Sequence, residues 1–190
     1  MSKVAVLFAR SDSVYKSFDF CDVWDQERNA LFYSGDYPVV AHPPCRAWGR
    51  LRYFARPVPG EKELAFFAVD QVRRCGGVLE HPVASKLWDE YGLPKPGQGN
   101  DEFGGYSIQV NQFWWGHKAA KATWLYIVGV CQGKLEPAPL VFSKPEYVVS
   151  CSRGAIKKKE ISKAEREHTP VDFARFLIDI AVKAGYPVNV

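Results

Sequence analysis

The chain has 190 residues, 47% of them hydrophobic, which supplies one domain with a substantial core and excludes a disordered protein. Lys and Arg number 25 against 21 Asp and Glu, and this net charge of +4 permits a phosphate-bearing partner without requiring one. No apolar run reaches the roughly 20 residues that a membrane-spanning helix needs, so no membrane partner is expected.

Residues 3–8, KVAVLF, form a short apolar run suited to a buried strand. The opening MSKVAVLFAR is too short in its apolar part for a signal peptide and reads better as this strand. Residues 20–24, FCDVW, predict a second strand followed by Asp25, and residues 38–41, PVVA, a third that runs into His-Pro-Pro-Cys. The spacing of Leu64, Phe67, Ala68 and Val72 predicts a helix over 61–75. Glu61 and Glu63 open it and Arg73 and Arg74 close it, as the helix dipole prefers, and Gly76 and Gly77 stop it. Residues 78–80, VLE, predict a strand leading into His81-Pro82. Residues 92–107 are rich in Gly and Pro and read as loop, 107–115 as a strand, and 123–130 as another. Residues 131–160 carry prolines and a Lys157–Lys158–Lys159 run. Thr169-Pro170 caps a last helix in which Phe173, Phe176, Leu177 and Ile180 share a face, and Gly185 ends it. The order implies an α/β fold: one Rossmann-like domain over residues 1–190, with a mostly parallel sheet flanked by helices.

In such folds ligands bind beyond the carboxyl ends of the strands. The tips expected there are Phe8–Asp12, His42–Trp48 and Glu80–Pro82. In His42-Pro43-Pro44-Cys45 two prolines stiffen a turn that presents a thiol, an arrangement suited to a nucleophile, although a buried cysteine behind a rigid turn fits equally well. Thirty-five positions later, Glu80 ends the next strand, so adjacent parallel strands would set the two groups side by side. A turn or cap carboxylate is its plainer role. A third segment, residues 111–125, gathers Gln112, His117, Lys118 and Lys121 around Gly116 beside Trp114 and Trp115, at least one of which fills core. The five cysteines are widely spaced and form no Cys-x-x-Cys, so neither a disulfide framework nor a common zinc site is expected, and a reducing cytoplasm is the simplest setting.

On these residues the chain resembles the cytosine carbon-5 DNA methyltransferase family. Pro43-Pro44-Cys45 matches the family's Pro-Pro-Cys motif. Glu80-His81-Pro82 stands where the family has Glu-Asn-Val. Gln112, with Lys118 and Lys121, loosely matches Gln-x-Arg-x-Arg. The resemblance implies a methyltransferase-type domain that modifies a pyrimidine at carbon 5, in DNA or in a nucleotide, through a covalent Cys45 adduct, with Glu80 on the base edge. It places Pro44, Gln112, His117 and Lys121 around the substrate, and Arg46, Arg50 and Arg52 suit phosphate. It implies S-adenosylmethionine as cofactor, held near Phe8, Ala9, Asp12, Asp25 and Glu27, with the final helix completing that pocket. Residues 9–13, ARSDS, carry no glycine where the family has its glycine-rich loop. Only 47 positions separate Lys121 from His168, which leaves no room for a separate DNA-reading domain. Such compact members look like those of phages and mobile elements. Cys45 would need a lowered pKa, with Arg46 and Arg50 near enough in sequence to help. Two alternatives stand beside this reading: a non-catalytic nucleotide- or nucleic-acid-binding protein, such as a counter-defence factor, and a different cysteine chemistry with His42, His81 or His117.

Overall fold

A computed structural model describes residues 3–50, 52–149 and 159–185. Cys151, Lys157 and Lys158 lie outside the described residues. In chain order the elements are β1 (Val4–Leu7), β2 (Cys21–Trp24), β3 (Val39–Ala41), α1 (Glu61–Cys75), β4 (Gly77–Pro82), α2 (Leu87–Glu90), β5 (Tyr106–Asn111), β6 (Ala122–Val128), β7 (Tyr147–Val148), β8 (Lys159–Glu160), α3 (Lys163–Glu167) and α4 (Val171–Ala184).

The first six strands form one sheet in the order β2-β1-β3-β4-β6-β5, and β7 pairs with β8 apart from it. The links β2–β1, β1–β3 and β3–β4 are parallel, while β6 runs antiparallel to both β4 and β5. With β6 set aside, the parallel strands run 2-1-3-4-5, and the order reverses between β1 and β3. That reversal is a topological switch point, where open α/β sheets form a crevice beyond the strand ends. The sheet and its flanking helices are compatible with a Rossmann-like fold.

Both faces of the sheet are covered, which explains why β1 and β3 are continuous apolar runs with every residue buried. On one face Ala65, Ala68, Val69 and Val72 of α1 pack with Leu79, Trp48 and Trp88. On the other, Phe173, Leu177, Ile180 and Ala181 of α4 pack against Val4, Val6, Val40 and Val78. The register of β3 on β4 depends on Gly77: a Cβ there would lie 2.0 Å from the Val39 carbonyl oxygen. No helix among the described residues is long and apolar enough to cross a membrane.

The predicted strands over 3–8, 20–24, 38–41 and 123–130 and both long helices occupy their expected places within a residue or two, and the strand expected over 78–80 extends to Gly77–Pro82. The strand expected over 107–115 stops at Asn111, whose side chain accepts the Phe113 N–H and turns the chain into a 3-10 turn over Gln112–Trp115. β1 and β2 are joined through a one-turn 3-10 helix over Val14–Ser17 rather than an α-helix.

Candidate active site

The parallel pairing Ala41↔Leu79 brings the turn after β3 and the end of β4 to the same edge of the sheet. His42, the first residue of that turn, bonds Glu80 Oε2 through Nδ1 at 3.1 Å. Its Nε2 meets the Tyr15 hydroxyl at 3.0 Å. Tyr15 is fully buried, and burial raises its pKa well above the usual value, so its hydroxyl keeps its proton. Facing a carboxylate, His42 Nδ1 is the donor to Glu80. The other oxygen, Glu80 Oε1, accepts from Gln112 Nε2 at 2.9 Å, and the same Nε2 lies 3.0 Å from Thr123 Oγ1. Gln112 is buried, and its Oε1 has no partner among the described residues.

A carboxylate this enclosed would ordinarily hold its proton. Burial does push the Glu80 pKa upward, but the charge of Lys121 and the hydrogen bond and charge of His42 outweigh it and lower the value to about 2. Glu80 is therefore an anion with two donors fixed on it.

Cys45 is an exposed residue in the adjoining turn, within electrostatic range of Glu80 and Lys121. Burial, then the Glu80 charge, raise its pKa, and Lys121 opposes them. The lowered value expected from Arg46 and Arg50 is not found. Arg46 Nε donates instead to Glu61 Oε1 at 2.8 Å, while Glu61 Oε2 accepts the Val58 N–H at 2.9 Å. Arg46 thus anchors the loop after Cys45 to the start of α1. Arg50 is exposed, and Arg52 lies over the Tyr53 ring. His117 also leaves the substrate side: its ring sits between the carbonyls of Ala119 and Glu165, and Lys118 pairs with Glu165, tying this segment to α3.

His81, beside Glu80, faces the other way. It is buried, its Nδ1 lies 2.7 Å from Ser85 Oγ, and the carbonyls of Pro44 and Pro43 lie in its surroundings. Burial lowers its pKa from 6.5 to about 4. The folded state therefore binds this proton less readily than the unfolded chain. The stability this confers is complete above pH ~6.5 and is lost as pH falls through about 4. The difference corresponds to about 3 kcal/mol. His81→Gln is expected to flatten the decline in melting temperature over that interval. His117, lowered by burial as well, leaves a smaller slope of the same sign. An equally steep decline in His81→Gln would acquit His81.

On the expected donor side the residues disperse. Phe8, with a φ of 61°, packs its ring on Phe67, and Ala9 is buried. Asp12 pairs with Arg10, which also reaches Glu167. Asp25 ends β2 as expected, but Oδ2 is ion-paired to Lys16 at 2.6 Å and Oδ1 accepts the N–H groups of Glu27 and Arg28. An open pocket of about 480 Å³ beside it is lined by Lys16, Cys21, Val23, Asp25, Glu27 and Arg28, and by none of Phe8, Ala9 or Asp12. A ribose diol would have to displace Lys16. As arranged, these residues do not fit S-adenosylmethionine.

The structure thus places Cys45, Glu80, Gln112 and Lys121 in one electrostatic neighbourhood, turns the Arg46 and His117 side chains toward other partners, leaves the donor residues apart, and adds His42, Tyr15 and Thr123. His42 is visible in the sequence as the first residue of the Pro-Pro turn. Tyr15 carries no sequence signal, since nothing around it is periodic. Compared with models of known protein families and with curated proteins, the chain matches none.

Proposed function

We propose that this chain adds the Cys45 thiolate to carbon 6 of a pyrimidine, cytosine in particular, and so activates carbon 5. The observation that carries the reading is the anionic Glu80 held by His42 and Gln112 at the same sheet edge as an exposed cysteine. Cytosine presents donors on its pairing edge: the 4-amino group, and ring nitrogen 3 once protonated. A carboxylate fixed as an acceptor is complementary to that edge.

In the addition step the sulfur lone pair forms a bond to carbon 6, the carbon 5–carbon 6 π pair becomes the carbon 4–carbon 5 bond of an enamine, and the carbon 4–nitrogen 3 π pair moves onto nitrogen 3, which takes a proton from solvent and shares it with Glu80. Carbon 5 then takes an electrophile, a solvent proton in the simplest case. Loss of the original carbon 5 proton and of the nitrogen 3 proton, with departure of the thiolate, restores the ring. DNA or a pyrimidine nucleotide would be the substrate.

With solvent as the proton source, the first half of this path can be tested without any donor. Incubated in deuterated buffer with deoxycytidine, as a monophosphate and within an oligonucleotide, the protein is expected to place deuterium at carbon 5, read by proton magnetic resonance. Exchange no faster than in buffer for both substrates would sink the chemistry. It would favour a non-catalytic nucleotide- or nucleic-acid-binding protein, a second reading that the raised thiol pKa and the engaged Asp25 also support.

A further inference from the structure

The 24 residues from Tyr37 to Gly60 contain no Asp or Glu and carry Arg46, Arg50, Arg52 and Arg56, an excess as large as the net charge of the whole chain. Arg46 is engaged by Glu61, but Arg50, Arg52 and Arg56 have no ion pair among the described residues. Between them, on a single 3-10 turn over Arg52–Phe54, stand two aromatic rings that packing leaves outside: Tyr53 is 80% exposed and Phe54 87%. The Tyr53 ring is held in place from one side. The Arg52 guanidinium carbon lies 4.3 Å from its centroid, and Arg52 Nη2 donates to its hydroxyl at 2.8 Å. These rings follow Cys45 by eight and nine positions, on the same loop.

We infer that this loop is a binding platform for a single-stranded polynucleotide, with Tyr53 and Phe54 stacking on bases next to the one delivered to Cys45 and with Arg50, Arg52 and Arg56 on the phosphates. Two neighbouring rings flanked by arginine forks match a strand that offers successive bases with phosphates on either side. A duplex keeps its base faces stacked, whereas a single strand offers them to exposed rings. A free nucleotide has no neighbouring base for either ring. The inference rests on the proposed chemistry only for the base at Cys45; the platform is tested separately.

The test is fluorescence anisotropy with short labelled oligonucleotides on the full chain: single-stranded DNA, the same sequence as RNA, the DNA duplex, and deoxycytidine monophosphate as competitor. Single strands are expected to bind more tightly than duplex or monophosphate, and the DNA and RNA arms show which strand is preferred. The double variant Tyr53→Ala with Phe54→Ala is expected to weaken strand binding roughly tenfold or more. Because both rings are exposed, its melting temperature is expected to stay unchanged. Replacing Arg50, Arg52 and Arg56 by Gln is expected to flatten the salt dependence by about 0.7 in log–log slope for each phosphate no longer neutralised.

Undiminished strand binding by the aromatic double variant would overturn the inference. So would tighter binding of duplex or monophosphate, or capture by phosphatidylserine vesicles without strand binding. Strand binding that needs Tyr53 and Phe54, without any carbon 5 exchange, would leave the platform standing and remove the chemistry. Exchange on the monophosphate without strand binding would do the reverse.

Discussion

Cys45→Ser is expected to lower deuterium incorporation at carbon 5 by roughly a thousandfold or more, because a serine hydroxyl at neutral pH supplies almost no oxyanion and adds poorly to an enone-like carbon. The residue is exposed, so the fold is expected to melt unchanged. The wild-type pH profile carries the second half of the prediction. Burial and the Glu80 anion raise the thiol pKa above its ordinary 9.0. The reactive thiolate is therefore a minor species at neutral pH, and the exchange rate is expected to climb about tenfold per pH unit through neutrality. No plateau is expected below pH 9 when substrate is far below saturation and the rate reports the free enzyme. A profile already flat at pH 7 would mean that the thiol is ionised at rest and that Glu80 does not act on it. A Cys45→Ser variant that still exchanges would move the nucleophile elsewhere.

In the proposed reaction such a resting thiol would have a physical use. The Glu80 charge that suppresses ionisation of Cys45 is the charge that a protonated nitrogen 3 would neutralise. Binding of the correct base therefore removes one of the forces holding the thiol protonated, while Lys121 continues to favour the thiolate. On the proposed chemistry, nucleophile strength would in this way be coupled to occupancy of the base edge.

The parts legible in the sequence are those set by local pattern. Val4–Leu7 and Val39–Ala41 are apolar without interruption because helices cover both faces, and α1 keeps its predicted bounds because acids at Glu61 and Glu63 and bases at Arg73 and Arg74 mark its two ends. Cys45 and Glu80 are legible because Glu80 follows an apolar run directly and Cys45 follows one across a short Pro-Pro turn, and strand ends are where such sheets place their chemistry. The short helix α3 has a local signal too: Ser162 and Glu165 form a reciprocal capping box, although the prolines and lysines before it obscure the pattern. What the pattern does not contain are partners far apart in sequence. His42 meets Tyr15 and Glu80 across 27 and 38 positions, and Arg46 turns to Glu61 fifteen positions on. Nearness in sequence suggests that Arg46 would serve Cys45, but a buried carboxylate at the head of α1 offers it a stronger partner. The donor residues rest on resemblance, and Lys16, the residue that closes Asp25, lies in a stretch without periodicity.

Glu80→Gln separates the structural part of the site from its chemistry. The change keeps shape and removes charge. Glu80 accepts from His42 Nδ1 on one oxygen and from Gln112 Nε2 on the other. A glutamine can accept from only one of them, so its amide hydrogens oppose the remaining donor, at a cost of about 1–3 kcal/mol. The acid limb of stability changes as well. A carboxyl lowered from 4.5 to about 2 contributes stability that is complete above pH ~4.5 and is lost as pH falls through about 2. Its full extent is about 3 kcal/mol, and Glu80→Gln is expected to lack that component of the decline. Carbon 5 exchange is expected to drop by about 10²–10⁴, the range for losing a positioned proton-sharing group. The opposite sign is expected at Cys45: without the neighbouring anion its thiol pKa falls, and iodoacetamide alkylates it faster than in wild type between pH 7 and 8. A merely structural carboxylate would lower stability and leave alkylation and exchange alone. Slower exchange together with faster alkylation is the signature of an acid that holds the base edge and restrains the nucleophile. Unchanged alkylation would place Glu80 and Cys45 in separate surroundings and dissolve the site.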